Sequence, residues 1–341
     1  MGDKLLYGRE LPGYPFNARA LLTRGIIVAQ RTVFSRWLRS VSLHAPLDPD
    51  CSGEAAGEAV HTLLTRDAPC MVARFGTGEM ETTLRHLDIS LPGSPLAKSL
   101  QLLTGRIGPF WWDNSIRAGI SWIAGLFPPT DEMMDRFGAR MLEDCREIDL
   151  LAGWVTGEKR LHTLFFPAAQ CIPLPDLEPF FAASPWSRAL AGKTVLAVHP
   201  FEATIRRQFD KRDRLFKDPR VLPPFELKTY RTVQSIAGNR TPFKTWFDAL
   251  DHMCGEISAI DFDVALIGAG AYGMPLAAHI KRMGKKAVHM GGATQLMFGI
   301  KGGRWDHTPK YSEGLYNEHW SRPLPDECPG NFKTVEGGSY W

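Results

Sequence analysis

The chain has 341 residues, 44% of them hydrophobic and 23% charged, with a net charge of +3. That is globular composition, and it excludes a disordered or fibrous chain and gives no electrostatic case for a nucleic-acid partner. At about 150 residues per domain, the length fits two domains or one large α/β domain with additions. Cysteines 51, 70, 145, 171, 254 and 328 form no CxxC pair. This argues against a zinc cluster and for free thiols in a reducing compartment. Ten Trp and nineteen Phe suit deep apolar cores and pockets that stack flat rings.

The first fifty residues read as an extended lead followed by a helix. From Ala18 to Val41, apolar residues and Trp37 alternate with Arg19, Arg24, Arg31, Arg36 and Arg39. The expected reading is a helix packed on the core with its arginines outward. The alternative is a basic amphipathic helix in peripheral contact with a membrane. No run of about eighteen apolar residues occurs, so no membrane span is expected and the predicted location is cytoplasmic.

Glu54 to Thr65 reads as helix and Cys70 to Ala73 as a short strand. The strand ends in Arg74-Phe75-Gly76-Thr77-Gly78-Glu79, and helix resumes from Glu79 to Leu87. Pro95 to Leu103, Ser115 to Leu126 and Glu132 to Cys145 read as helices, with Thr130 capping the last. Asp149 to Val155 and Leu164 to Ile172 read as strands. Lys193 to His199 is a strand entering His199-Pro200-Phe201-Glu202 and a charged helix. Phe225 to Thr232 is a strand and Phe243 to Ile257 a helix. Asp263 to Ile267 is a strand running into Gly268-Ala269-Gly270-Ala271-Tyr272-Gly273, with helix from Pro275 to Met283. Lys286 to Met290 is the last strand, ending in Gly291-Gly292. The tail after Trp305, rich in Pro, Gly and polar residues, is expected to wrap the surface.

This alternation predicts an α/β fold: a mostly parallel, Rossmann-like sheet with helices on both faces. The organisation is an N-terminal extension (1–50), an α/β domain (51–305) with a helical insert near 95–150, and an irregular tail (306–341). Ligands of such sheets bind at the carboxyl ends of strands, and these ends carry the chemistry here. Gly76 and Gly78 let backbone N–H groups approach an anion, and Arg74 offers a donor fork suited to phosphate. Glu79 can hold a divalent cation. His199 with Glu202 is a candidate base and partner. Gly268 to Gly273 fits G-x-G-x-x-G, but the position that should offer an acid to a ribose holds Val288-His289. An anion at that helix start fits better than NAD. Gly291, Gly292 and Gln295 add a flexible turn, followed by Lys301, Arg304 and Trp305.

Arg-Phe-Gly-Thr-Gly-Glu after a short apolar strand resembles the Arg-(Phe/Tyr)-Gly-Asp-Gly-Glu signature of GT-D-type glycosyltransferases. The late block, Asp263 through Leu276-Ala277 and then Lys286 to Gly291, is similar to the closing part of the same family. The likeness spans roughly residues 55–300, and Thr77 stands where the family has Asp. The resemblance implies sugar transfer from a nucleotide-sugar donor to a glycan or lipid-linked acceptor, in polysaccharide or glycoconjugate assembly. It implies donor contacts from Arg74, Gly76, Thr77, Gly78, Gly268, Gly270, Tyr272, Gly291, Gly292, Gln295 and Arg304. It places Glu79 at a catalytic centre with a divalent cation, Mn²⁺ or Mg²⁺, to which Thr77, unlike the family's Asp, contributes no charge. His199, Glu202 and His289 are the candidate bases, in that order. The competing readings are an NAD(P)-dependent oxidoreductase using Gly268 to Gly273, and a non-catalytic nucleotide-sugar binder.

Overall fold

The computed structural model describes residues 47–341 and, upstream of them, Gly25. The basic segment from Ala18 to Val41 otherwise lies outside the described residues. A seven-stranded sheet, parallel throughout, runs in the order β3-β2-β1-β7-β6-β4-β5. Its strands are β1 (Cys70–Ala73), β2 (Leu150–Gly153), β3 (Gln170–Pro173), β4 (Thr194–Val198), β5 (Glu226–Tyr230), β6 (Val264–Ile267) and β7 (Lys286–His289).

The inner strands are buried on both faces, as continuous apolar runs such as Cys-Met-Val-Ala and Val-Ala-Leu-Ile require. Alternation divides their side chains between two cores. Met71, Ala73, Leu151 and Ile267 belong to one cluster, and Cys70, Val72, Leu150 and Leu266 to the other. The helices are α1 (Glu54–Thr65), α2 (Thr77–Ser90), α3 (Pro95–Leu103), α4 (Asn114–Trp122), α5 (Asp131–Asp144), α6 (Glu158–Phe165), α7 (Glu202–Phe209), α8 (Arg212–Leu215), α9 (Trp246–Ser258), α10 (Gly273–Arg282) and α11 (Ala293–Met297). Helices α2 to α5 fill the connection between β1 and β2. Helix caps fix several starts. The Thr130 hydroxyl accepts from the Met133 N–H (3.3 Å), and Thr245 and Asp248 form a reciprocal capping box. Among the described residues no helix is long and apolar enough to cross a membrane. All six cysteines are free thiols, three of them buried.

Two expectations need correction. Leu164 and Phe165 end α6, and the third strand is Gln170–Pro173. Phe166 leaves helical geometry ahead of Pro167, and the apolar run there is a helix end, not a strand. The tail does not merely wrap the surface. Trp320, Val335 and Trp341 are buried in the second core cluster. The apolar area of these side chains outweighs the Pro- and Gly-rich composition around them.

Candidate active site

A cleft enclosing about 1230 Å³ of empty space, open solvent included, lies at the carboxyl ends of the strands. Residues just past β1, β2, β4, β5, β6 and β7 line it, and Glu336, Tyr340 and Trp341 of the tail close one side. Of the residues singled out from the sequence, Arg74, Gly76, Thr77, Gly78, Glu79, His199, Gly268, Gly270, Tyr272, His289, Gly291, Gly292, Gln295 and Arg304 all line this one space.

Glu202 does not. It opens α7, where it pairs with Arg206 and accepts from the Thr229 hydroxyl (2.8 Å). Phe201, buried, takes the inward direction, and the next residue of a helix points about 100° away. Glu202 is therefore not a partner for His199.

Arg74 is the centre of the cleft's positive charge. Its Nε is buried without a hydrogen-bond partner, and the guanidinium forms no ion pair among the described residues. It lies over the Trp154 ring, 5.0 Å from the centroid. Trp154 is held by its Nε1–H on the Phe75 carbonyl (2.8 Å) and its backbone N–H on Glu158 Oε2 (2.7 Å). Burial pulls the Arg74 pKa down, while Glu79 opposes that shift. Gly291 sits at φ +60°, and a Cβ there would stand 3.0 Å from Arg74 Nη1. Glycine supplies both the left-handed backbone and the room for the guanidinium.

The start of α2, after Gly76, lines the same space without an N-cap side-chain hydrogen bond, and Glu79 takes up its own backbone N–H there, which leaves the N–H groups of Thr77 and Gly78 without helix partners. The start of α10 is different: it runs on from a tight turn in which the Tyr272 N–H donates to the Ala269 carbonyl (3.1 Å) and the Gly273 N–H to that of Gly270. The Glu79 carboxylate folds back over Gly76, where any side chain would overlap it. Burial raises its pKa, against the opposing pull of Arg74. Within the Gly-rich turn, a methyl on Gly273 would overlap the His289 imidazole, and one on Gly268 would meet the Gly291 carbonyl at 2.8 Å.

The two histidines have opposite tautomers, set by backbone partners. His199 Nδ1 accepts the Phe201 N–H (3.0 Å), so its proton sits on Nε2 and the ring is a donor. His289 Nδ1 lies 3.3 Å from the Ile267 carbonyl, so Nδ1 carries the proton and Nε2 is the acceptor. The first-ranked base, His199, thus has its accepting nitrogen already engaged. Burial pushes both pKa values down to about 3 from 6.5. Both rings are neutral near pH 7. As pH falls from 6.5 towards 3, the unfolded chain takes up protons that the folded chain refuses, so stability falls. Each ring contributes about 1.4 kcal/mol per pH unit in that window. Denaturant unfolding between pH 7 and pH 5 should show the loss, and His289→Gln should reduce the slope. An unchanged slope would place the imidazole in water.

The remaining polar groups are partly committed. The Gln295 amide NH₂ donates to the carbonyls of Lys301 (3.1 Å) and Tyr340 (3.0 Å), which makes it a tether for the tail. Arg304 pairs with Glu336 and donates to the Tyr340 hydroxyl (3.3 Å). The Tyr272 ring stacks on Trp246, and its hydroxyl meets Ser235 Oγ at 3.2 Å. Lys301 lies over the Tyr316 ring and does not line the cleft.

The donor set does not fit a protein-held divalent cation. Of the two cleft carboxylates, Glu336 is paired with Arg304, and Glu79 has Arg74 beside it. Among the described residues no three His, Cys, Asp or Glu side chains gather as a metal site. Glu81, two residues on from Glu79, is turned about 200° round the helix and does not line the cleft.

Several cleft residues escaped sequence reading. Trp154 was hidden inside a run read as strand; because β2 stops at Gly153, it stands at a strand end like the others. Glu336, Tyr340 and Trp341 carry no local signal. No family model, no curated protein and no solved structure matches the chain.

Proposed function

We propose that the chain is a glycosyltransferase that moves a sugar from a nucleotide-sugar donor to an acceptor hydroxyl, in polysaccharide or glycoconjugate assembly. One observation carries this reading: Arg74, its Nε buried without a hydrogen-bond partner and its guanidinium in no ion pair among the described residues, faces a cleft into which the start of α2 also opens. A partly desolvated guanidinium beside a helix start is a receptor for a multiply charged anion such as a diphosphate. Thr77 brings no charge to the motif, so in this reading Arg74 carries the positive charge that faces the diphosphate.

In the transfer, the bond between the sugar's anomeric carbon and the diphosphate oxygen breaks, and its electron pair leaves with the diphosphate. Arg74 and the start of α2 meet that charge. The acceptor oxygen bonds to the anomeric carbon and gives its proton to Glu79, whose raised pKa makes it a stronger base than an exposed glutamate. His199 Nε2–H is a donor available to a phosphate oxygen.

The test is thermal shift with UDP and other nucleoside diphosphates, run in EDTA and in Mn²⁺. A saturating diphosphate should raise the melting temperature by several degrees in EDTA, and added Mn²⁺ should change the affinity by less than about threefold. NADH should leave it unmoved, since the ribose-binding acid is replaced by buried Val288 and His289. Tight NADH binding with no diphosphate binding overturns the reading.

A further inference from the structure

A second cavity lies behind the Arg74–Trp154 wall. It shares Arg74, Trp154, Gly292 and Arg304 with the main cleft. Beyond them it is lined by Leu174, Leu177, Met290, Trp305 and Glu178. Its chemistry differs from that of the main cleft. Leu177 and Met290 give it a buried apolar floor, and two indoles flank it, one of them, Trp154, about half exposed (49%). Glu178 is its one carboxylate. Both Glu178 oxygens accept from the Tyr311 hydroxyl (2.9 and 3.0 Å), with the Lys310 ammonium 3.8 Å away.

We propose that this second cavity holds a pyranose ring of the acceptor, with its C–H face on an indole and its hydroxyls on the Glu178 carboxylate. The proposal rests on the glycosyl-transfer reading. A pyranose presents both surfaces this cavity offers partners to: an apolar C–H face and a rim of hydroxyl donors. Tyr311 fixes the carboxylate in place and leaves it lone pairs to accept those hydroxyls. The shared wall explains the placement. A ring seated there brings a hydroxyl to Arg74 and the diphosphate side of the cleft, where the sugar is transferred. Glu178 is then a specificity residue for the acceptor, not part of the diphosphate site.

The full chain labelled with 5-fluorotryptophan tests this by fluorine NMR, with the Trp154 and Trp305 signals assigned through Trp154→Phe and Trp305→Phe. UDP is added to saturation, followed by methyl glucopyranoside, methyl galactopyranoside or methyl N-acetylglucosaminide to about 100 mM, a range that captures millimolar sites. The expected result is that at least one pyranoside moves the Trp305 signal while UDP stays bound. Glu178→Gln should weaken that pyranoside roughly tenfold, the loss of one charge-assisted hydrogen bond, and leave UDP affinity unchanged. Pyranosides that move neither signal in protein that binds UDP, or that displace UDP, overturn the second cavity as an acceptor site. Failure of UDP itself to bind is a different result and sinks the transfer reading.

Discussion

Arg74→Ala should weaken UDP binding about 100-fold in a calorimetric titration, a loss of about 2.7 kcal/mol. The size follows from where the guanidinium sits. Its Nε has no partner and burial lowers its pKa, so the free protein carries a cation that water does not fully solvate. A diphosphate restores both the hydrogen bonds and the charge balance, which makes its contribution larger than that of a surface arginine. Arg74→Lys should recover only part of the loss, because a point charge cannot supply the fork or lie flat on Trp154. UDP affinity within threefold of the parent protein would remove Arg74 from the anion site.

Glu79→Gln should lower kcat by roughly 10² to 10⁴ while leaving UDP binding equal or tighter. Both directions come from the same geometry. Glu79 is the cleft carboxylate not spent on a salt bridge, and it stands beside Arg74. As a base it must be ionised, so activity is lost as pH falls through its pKa. Burial raises that pKa above 4.5, so the acid limb of kcat/KM should lie above that of an exposed glutamate and vanish in the Gln variant. Removing a negative charge next to a diphosphate cannot weaken its binding electrostatically. If Glu79 instead held a cation bridging the phosphates, the Gln variant would bind UDP at least about tenfold more weakly, and only when Mn²⁺ is present. That outcome would sink the base role.

The sheet was legible because its strands are short apolar runs with chemistry at their carboxyl ends. The rule that ligands gather there brought Arg74, His199, Gly268 and Gly291 together without any spatial information. What stayed hidden has specific causes. The direction of Glu202 depends on helix register, which Phe201 decides by being buried. The role of His199 turns on a backbone N–H from Phe201, and sequence cannot place it. Gln295 looks like a ligand contact and is largely a brace, because the carbonyls of Ile300, Lys301 and the distant Tyr340 converge on its amide. The tail's share of the cleft comes from tertiary packing alone. The GT-D likeness rests on the two motifs and their spacing.

The pairing of β1 with β7 has a consequence for how the protein acquires its site. These strands lie far apart in sequence, yet Val72 pairs with Val288, and Arg74 nestles against Gly291. This contact in the cleft wall is thus among the most non-local between the described residues, and its loop-closure entropy must be met before it returns any stabilisation. Until β7 docks, β1 is an unpaired apolar edge on that side, the kind of surface that associates wrongly during folding. The cleft wall at Arg74 and the completed sheet are therefore built by one and the same pairing.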